Sequence, residues 1–341
     1  MESKKEKRPG KHIFGKIILA AIGALLIWLT GDICITEISA ARIPHRFASA
    51  EEGRDRLLAN TEYYSRMTQT DMDFRLGHEN AAQDELLERS TAEIRDYNII
   101  EKYLVDRRIA KMARKLAKFG YEIPLPEEIT FIKSDMSVEI MTAGGYTHGT
   151  DIYLNSVNIA FSVLPGASQY FDKLLWHELF HCLTRNDPDF RAQMYSLIHF
   201  TVTDTDFELP PCVRERYLSN PDVERHDSYA AFLIDGREVD CFLVWITTTD
   251  YSETRPGTGP NRIAVLVPID GTDVYYTQDQ ASNFDAVFGT NTGYVTDPEE
   301  CMADNFAYAM YYGTDGQDGQ GYPNPEIIMG VIDLVSGSGL S

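Results

Sequence analysis

The chain has 341 residues, 43% of them hydrophobic and 24% charged, with a formal net charge of −21. That balance suits one large or two modest globular domains and argues against wholesale disorder. The acidity argues against a nucleic-acid partner, whose phosphates reward Lys and Arg clusters. Five scattered cysteines without a C-x-x-C pair support neither a disulfide scaffold nor a zinc ribbon.

Residues 1–16 carry Lys4, Lys5, Lys7, Arg8, Lys11 and Lys16 against Glu2 and Glu6, and an apolar run follows from Ile17 to Leu29. A basic flank before an apolar run is the arrangement of a secretory signal or an uncleaved anchor. Residues 1–41 are therefore expected to engage a membrane, with everything after them on its outer side. The charge-free run is shorter than the roughly 20 residues a bilayer needs, which favours a signal, whereas Ile33–Ile35 can extend it into an anchor.

Residues 49–120 predict a helical region packed on the core, a hairpin broken at Leu76-Gly77-His78. Ile94, Tyr97, Ile100, Leu104, Ile109, Met112 and Leu116 recur at three- to five-residue steps, and Gly120 is a plausible C-cap. Residues 121–335 are expected to form the main domain, with 336–341 a flexible tail. Ile129–Ile132, Ser137–Met141 and Gly149–Leu154 suggest short strands around the Gly144-Gly145 turn. Residues 168–184 predict a strong helix with Ser168 as N-cap, and Asp187-Pro188 opens the next one. Residues 203–296 are mixed, with apolar runs at Phe242–Ile246 and Ile263–Val267. The segments 249–261 and 313–324 read as loops, and a last helix precedes the tail.

The helix at 168–184 contains Trp176-His177-Glu178-Leu179-Phe180-His181, an H-E-x-x-H pattern. Two histidines four apart share one helical face, so both imidazoles can reach a single metal ion. Imidazole nitrogen is a good zinc donor. Glu178 projects beside the metal, where it can take a proton from an activated water and pass it to a leaving amine. With 8 histidines in the chain, chance gives on the order of 0.01 such matches.

A catalytic zinc needs a third protein ligand. Arg185-Asn186-Asp187 stand where an H-E-x-x-H-x-x-G-x-x-H pattern would need Gly and His. A carboxylate from a second helix is the alternative. Asp297 can cap and Pro298 can start a helix that puts Glu300 and Asp304 on one face. Glu300 would ligate zinc, and Asp304 would accept the second imidazole proton of a ligand histidine. Glu299 is the competing donor, one helical position away.

H-E-x-x-H followed much later by a Glu-x-x-x-Asp helix resembles the gluzincin class of metallopeptidases. The segments His177–Arg185 and Gly293–Phe306 are similar to those of bacterial secreted zinc peptidases, over roughly residues 123–315. The resemblance implies His177, His181 and Glu300 as zinc ligands and Glu178 as general base. It also implies an α+β zincin-like fold, with a small twisted sheet on the active-site helix and a mostly helical second half closing the cleft. The implied activity is hydrolysis of peptide or protein substrates by zinc-activated water.

Other residues carry weaker signals. Tyr294, His226 and Tyr229, with His148 more remote, are candidates to stabilise an oxyanion. Gly144–Gly149 could be an edge strand that pairs with an extended peptide, or a simple glycine turn. Asp270–Asp273 and Asp315–Asp318 lack the twelve-residue calcium pattern and read as acidic turns. Cys182 and Cys301 each follow a proposed ligand, so a bridge between them stands beside the reading of separate buried thiols. Two rival functions remain: a membrane-anchored binding or scaffold protein with a structural zinc, and a metal-dependent hydrolase of a non-peptide amide in the cell envelope.

Overall fold

Strand β3 (Ile129–Ser134) is buried at all six positions and anchors the first sheet of the computed structural model, which describes residues 22, 30–139, 144–254 and 259–337. A strand covered on both faces reads as a continuous run rather than an alternating one. Strands β1 (His45–Phe47) and β5 (Asp151–Asn155) flank it in parallel, and β4 (Gly145–His148) runs antiparallel to β5. The order is β1-β3-β5-β4, which leaves β4 at the edge, and β2 (Ile94–Arg95) pairs with the end of β3. Gly144–Gly149 thus supplies the edge strand rather than a bare turn. Residues 137–139 form a turn, not the expected strand, and residues 140–143 lie outside the described residues.

The region before β3 is more divided than a hairpin. It folds as α1 (Ala50–Ala59), α2 (Thr61–Ser65), α3 (Gln69–Leu76), α4 (Gln83–Ala92) and α5 (Ile99–Phe119). Gly77, at φ +77°, ends α3 where the break was expected. Helix α5 has a full capping box: Asn98 Oδ1 accepts from the Ile100 and Glu101 amides, and Glu101 Oε2 accepts from the Asn98 amide at 2.8 Å. Gly120, left-handed, closes it.

After α6 (Ser156–Phe161) come α7 (Ala167–Asn186) and α8 (Pro188–Ser196). Helix α7 starts one residue before Ser168, so Gly166, at φ +83° and without a side-chain cap, precedes it in place of the expected serine. Asp187 caps α8 as anticipated, its Oδ1 accepting from the Phe190 amide.

The expected mostly helical second half is the main correction. Residues 201–277 build a second, antiparallel sheet: β6 (Thr201–Val202), β7 (Tyr217–Leu218), β8 (Ser228–Ile234), β9 (Arg237–Thr247), β10 (Arg262–Pro268) and β11 (Tyr276–Thr277). The order is β11-β10-β9-β8-β6, with β7 also on β9, and the short α9 (Pro211–Arg214) lies beside it. Its two faces bury different cores. Cys241, Leu243, Ala264 and Leu266 face the main core, while Phe242, Val244, Ile246, Val265 and Val267 form a separate cluster. With both faces apolar, the two-residue period that marks a strand is hidden. Three helices follow: α10 (Phe284–Phe288), α11 (Pro298–Tyr312) and α12 (Pro325–Val335).

The main core draws on both sheets and on α5, α7, α8, α11 and α12. All five cysteines are free, with Cys182 and Cys301 buried separately, so the bridge between them does not form. Among the described residues no helix is long and apolar enough to cross a membrane. The basic segment and, apart from Ile22, the Ile17–Leu29 run lie outside the described residues.

Candidate metal centre

Helices α7 and α11 carry the expected residues and are locked together by aromatic packing. Phe306 of α11 is fully buried, its ring centroid 5.4 Å from that of Phe180 and 6.1 Å from that of Trp176 on α7. Burial of a side chain that size contributes about 1.5–3 kcal/mol. The start of α11 follows the sequence signal, with Pro298 in the first turn and Asp297 Oδ1 accepting from the Glu299 amide at 2.8 Å.

The imidazoles of His177 and His181 are each held at the far nitrogen. His177 Nδ1 donates to Asp304 Oδ1 at 3.1 Å, and His181 Nδ1 donates to Glu299 Oε1 at 2.8 Å. With the protons on Nδ1, both Nε2 lone pairs turn inward. They meet one carboxylate oxygen, Glu300 Oε2, at 3.1 Å from His177 and 3.7 Å from His181. His181 Nε2 is buried without a hydrogen-bond partner. Inward-facing lone pairs against a buried carboxylate repel one another unless a cation stands between them. The donor atoms lie within 4.8 Å of one another, and two imidazoles with one carboxylate suit zinc.

A proton on His177 Nε2 can take that cation's place, and the electrostatics reflect it. Burial would push the Glu300 carboxyl up, but the hydrogen bond and charge of His177, with His181, hold it down to about 2. Burial likewise opposes charge on His177, yet the Asp304 and Glu300 carboxylates raise its imidazole well above its ordinary value. Glu300 Oε1 accepts from the Tyr294 hydroxyl at 2.8 Å and from the Asn220 amide, so its outer oxygen is fixed and Oε2 faces the histidines.

Glu299, weighed as a rival donor, instead holds His181, and also accepts from the Thr184 and Tyr195 hydroxyls. Loss of such a partner typically costs 10–100-fold in metal affinity. Glu299→Ala is therefore expected to weaken zinc binding by about that factor without abolishing it, as read by competition with a fluorescent chelator.

Glu178, 1% exposed, sits between this cluster and the sheet edge. Its Oε2 accepts from the Thr147 hydroxyl of β4 at 2.8 Å. Burial, foremost, raises its carboxyl above the ordinary value, against the charges of His177 and His181. Gly145 makes room for it: a Cβ there would lie 2.7 Å from Glu178 Oε1 and 2.9 Å from its carboxyl carbon. Gly145→Ala should push this carboxylate out of place, as read in the variant's crystal structure.

A cleft of about 680 Å³ opens over these groups. His177, Glu178, Tyr294 and Asp304 line it, and so do residues the sequence left without a role. Asp222 is the chief of these. Its Oδ1 accepts from the Thr147 amide at 2.7 Å and lies 3.9 Å from His181 Nε2; with Glu178 and His181 it makes a second compact donor group. Burial, then the Glu178 and Glu300 charges, raise its carboxyl well above the ordinary value. Asp71, Phe74 and Arg75 bring α3 to the cleft wall. Arg75 is spent on Asp71, Glu139 and Ser219, tying the early helices to the 219–222 segment.

Of the oxyanion candidates, Tyr294 alone lines this cleft. His226 is buried against Tyr217, and burial lowers its imidazole to about 4. His148 is buried among Tyr63, Tyr146 and Tyr153, its imidazole lowered to about 3 by burial. Tyr229 packs on Phe207. Asp270 and Asp318 cap their own turns, as acidic turns do. Comparison with family models, curated proteins and solved structures found no match.

Proposed function

We propose that this chain is a zinc-dependent peptidase that hydrolyses peptide bonds in the cleft above His177, Glu178 and His181. One observation carries the reading: two histidine Nε2 atoms and Glu300 Oε2 converge, while each Nδ1 is held by a carboxylate and Glu178 stands beside them on the same helix.

His177, His181 and Glu300 would hold the metal, with Asp304 and Glu299 fixing the ring orientations. Bound zinc supplies a Lewis acid that polarises a carbonyl and makes water more acidic. Glu178 accepts the proton from the attacking water at its carboxylate and returns it to the leaving amine. Its burial favours this role, because desolvation raises the carboxyl above its ordinary value and so makes it a stronger base. Gly144 and Gly145, at the start of the edge strand β4, line the cleft, where their backbone could meet an extended peptide. Helix, edge strand and carboxylate helix together make the α+β arrangement zincin-like in this reading. The basic flank and apolar run of residues 1–29 favour attachment to, or export through, a membrane, with the cleft on its outer side.

The test is metal content of the full chain by mass spectrometry, paired with hydrolysis of a mixed peptide pool. One zinc per chain and cleavage abolished by a chelator are expected. Zinc without cleavage of any peptide overturns the peptidase reading and favours a binding protein; release of products from cell envelopes alone favours the non-peptide amide hydrolase.

A further inference from the structure

We infer that the cleft selects substrates bearing a carboxylate near the scissile bond, and that Arg262 is the residue that binds it; this rests on the peptidase reading above. Two arginines line the cleft of this chain of net charge −21, and one of them, Arg75, is tied to Asp71 and Glu139. Arg262 lines the cleft, and among the described residues it has no carboxylate or hydrogen-bond partner. Its guanidinium carbon lies 4.1 Å from the centre of the Trp245 ring.

Arg262 is exposed at the edge of the cleft, and the stacking restrains its cation there. An indole face restrains the planar guanidinium and leaves its N–H edge open, the geometry that takes a carboxylate through two parallel hydrogen bonds. The position also fits. Trp245 is 6.3 Å from Tyr294, and Tyr294 stacks on His177 at 6.1 Å between ring centres. An aromatic wall thus runs from the metal-binding histidine to the Arg262 guanidinium, within the length of a few peptide residues. On another wall, Lys173 lies one turn before His177 on α7, with Nζ 5.7 Å from the Tyr308 and Tyr312 rings and no carboxylate partner among the described residues.

Among the described residues none of the cleft's carboxylates pairs with these cations: Asp71 and Glu139 are held by Arg75, Asp304 by His177 and Thr292, and Glu178 and Asp222 by Thr147. Repulsion from the distant acidic surface is screened over about 8 Å at physiological ionic strength, so the local contact decides. The carboxylate can come from an Asp or Glu side chain or from a peptide C-terminus.

The test uses the full zinc-loaded chain and matched peptides differing by Glu or Gln at each of the first few positions on either side of the cleaved bond, each with a free or amidated C-terminus. A 10–100-fold higher kcat/KM for the carboxylate member of a pair is expected. The Glu/Gln pair reads a side-chain carboxylate and the free/amide pair a terminal one. Arg262→Gln should erase that ratio, with zinc content unchanged and neutral peptides cleaved within about twofold of wild type. No ratio in either pair, or a ratio that survives Arg262→Gln, overturns the inference. Fluorescence-anisotropy binding of the same peptides to Glu178→Gln separates the two readings. Arg262-dependent preference in binding without hydrolysis by wild type keeps the carboxylate site and overturns the peptidase reading.

Discussion

Glu178→Gln is expected to keep one zinc per chain and to lose about 10²–10⁴-fold in kcat, measured by metal analysis and peptide hydrolysis on the same preparation. The substitution is nearly isosteric, so its effect isolates the proton. A glutamine carbonyl still accepts from the Thr147 hydroxyl, which meets Glu178 Oε2 at 2.8 Å, and still fits over Gly145. What disappears is the group that takes a proton from water and carries it to the leaving amine. The loss should fall on kcat, because the side chain binds neither the ground-state peptide nor the metal. Two results would change the account. Full activity in the variant removes the general base from the mechanism. Loss of zinc with activity would mean that the metal sits instead among Glu178, His181 and Asp222, the second compact donor group.

Which parts of the centre were legible in the sequence follows from how each is built. His177, Glu178 and His181 depend only on helical spacing, and a helix carries its spacing with it. Glu300 and Asp304 were readable for a similar reason: Asp297-Pro298 marks a helix start, and four residues later the same face returns. Asn220, Asp222 and Thr147 had no such signal, because they meet the centre through a loop and a sheet edge placed by tertiary packing. The same holds for Arg75, whose hydrogen bonds reach across more than sixty residues to Glu139 and Ser219. The antiparallel sheet was missed because β9 and β10 bury both faces and show no alternation. Glu299 competes with Glu300 in the sequence, and a step of one residue on α11 turns its carboxylate to the outer nitrogen of His181.

That last distinction is what Glu300→Ala decides, and here the expected effect is loss of the metal itself. Glu300 is fully buried and presents one oxygen to both histidines. Its removal leaves two protein donors, too few for a zinc site of ordinary affinity. The loss should exceed the 10–100-fold expected for Glu299→Ala, and zinc should be absent after gel filtration in metal-free buffer. Truncation also strips partners from the half-buried Tyr294 hydroxyl and Asn220 amide, at about 0.5–1.5 kcal/mol for each hydrogen bond lost. Glu300→Gln separates the two consequences, since it keeps volume and an acceptor for those donors but loses the charge. Both variants should lack zinc, and Glu300→Ala alone should melt well below the metal-free wild type. If Glu300→Ala retains a full equivalent while Glu299→Ala loses it, the ligand and the orienting carboxylate are exchanged, and the third donor lies one residue earlier on α11.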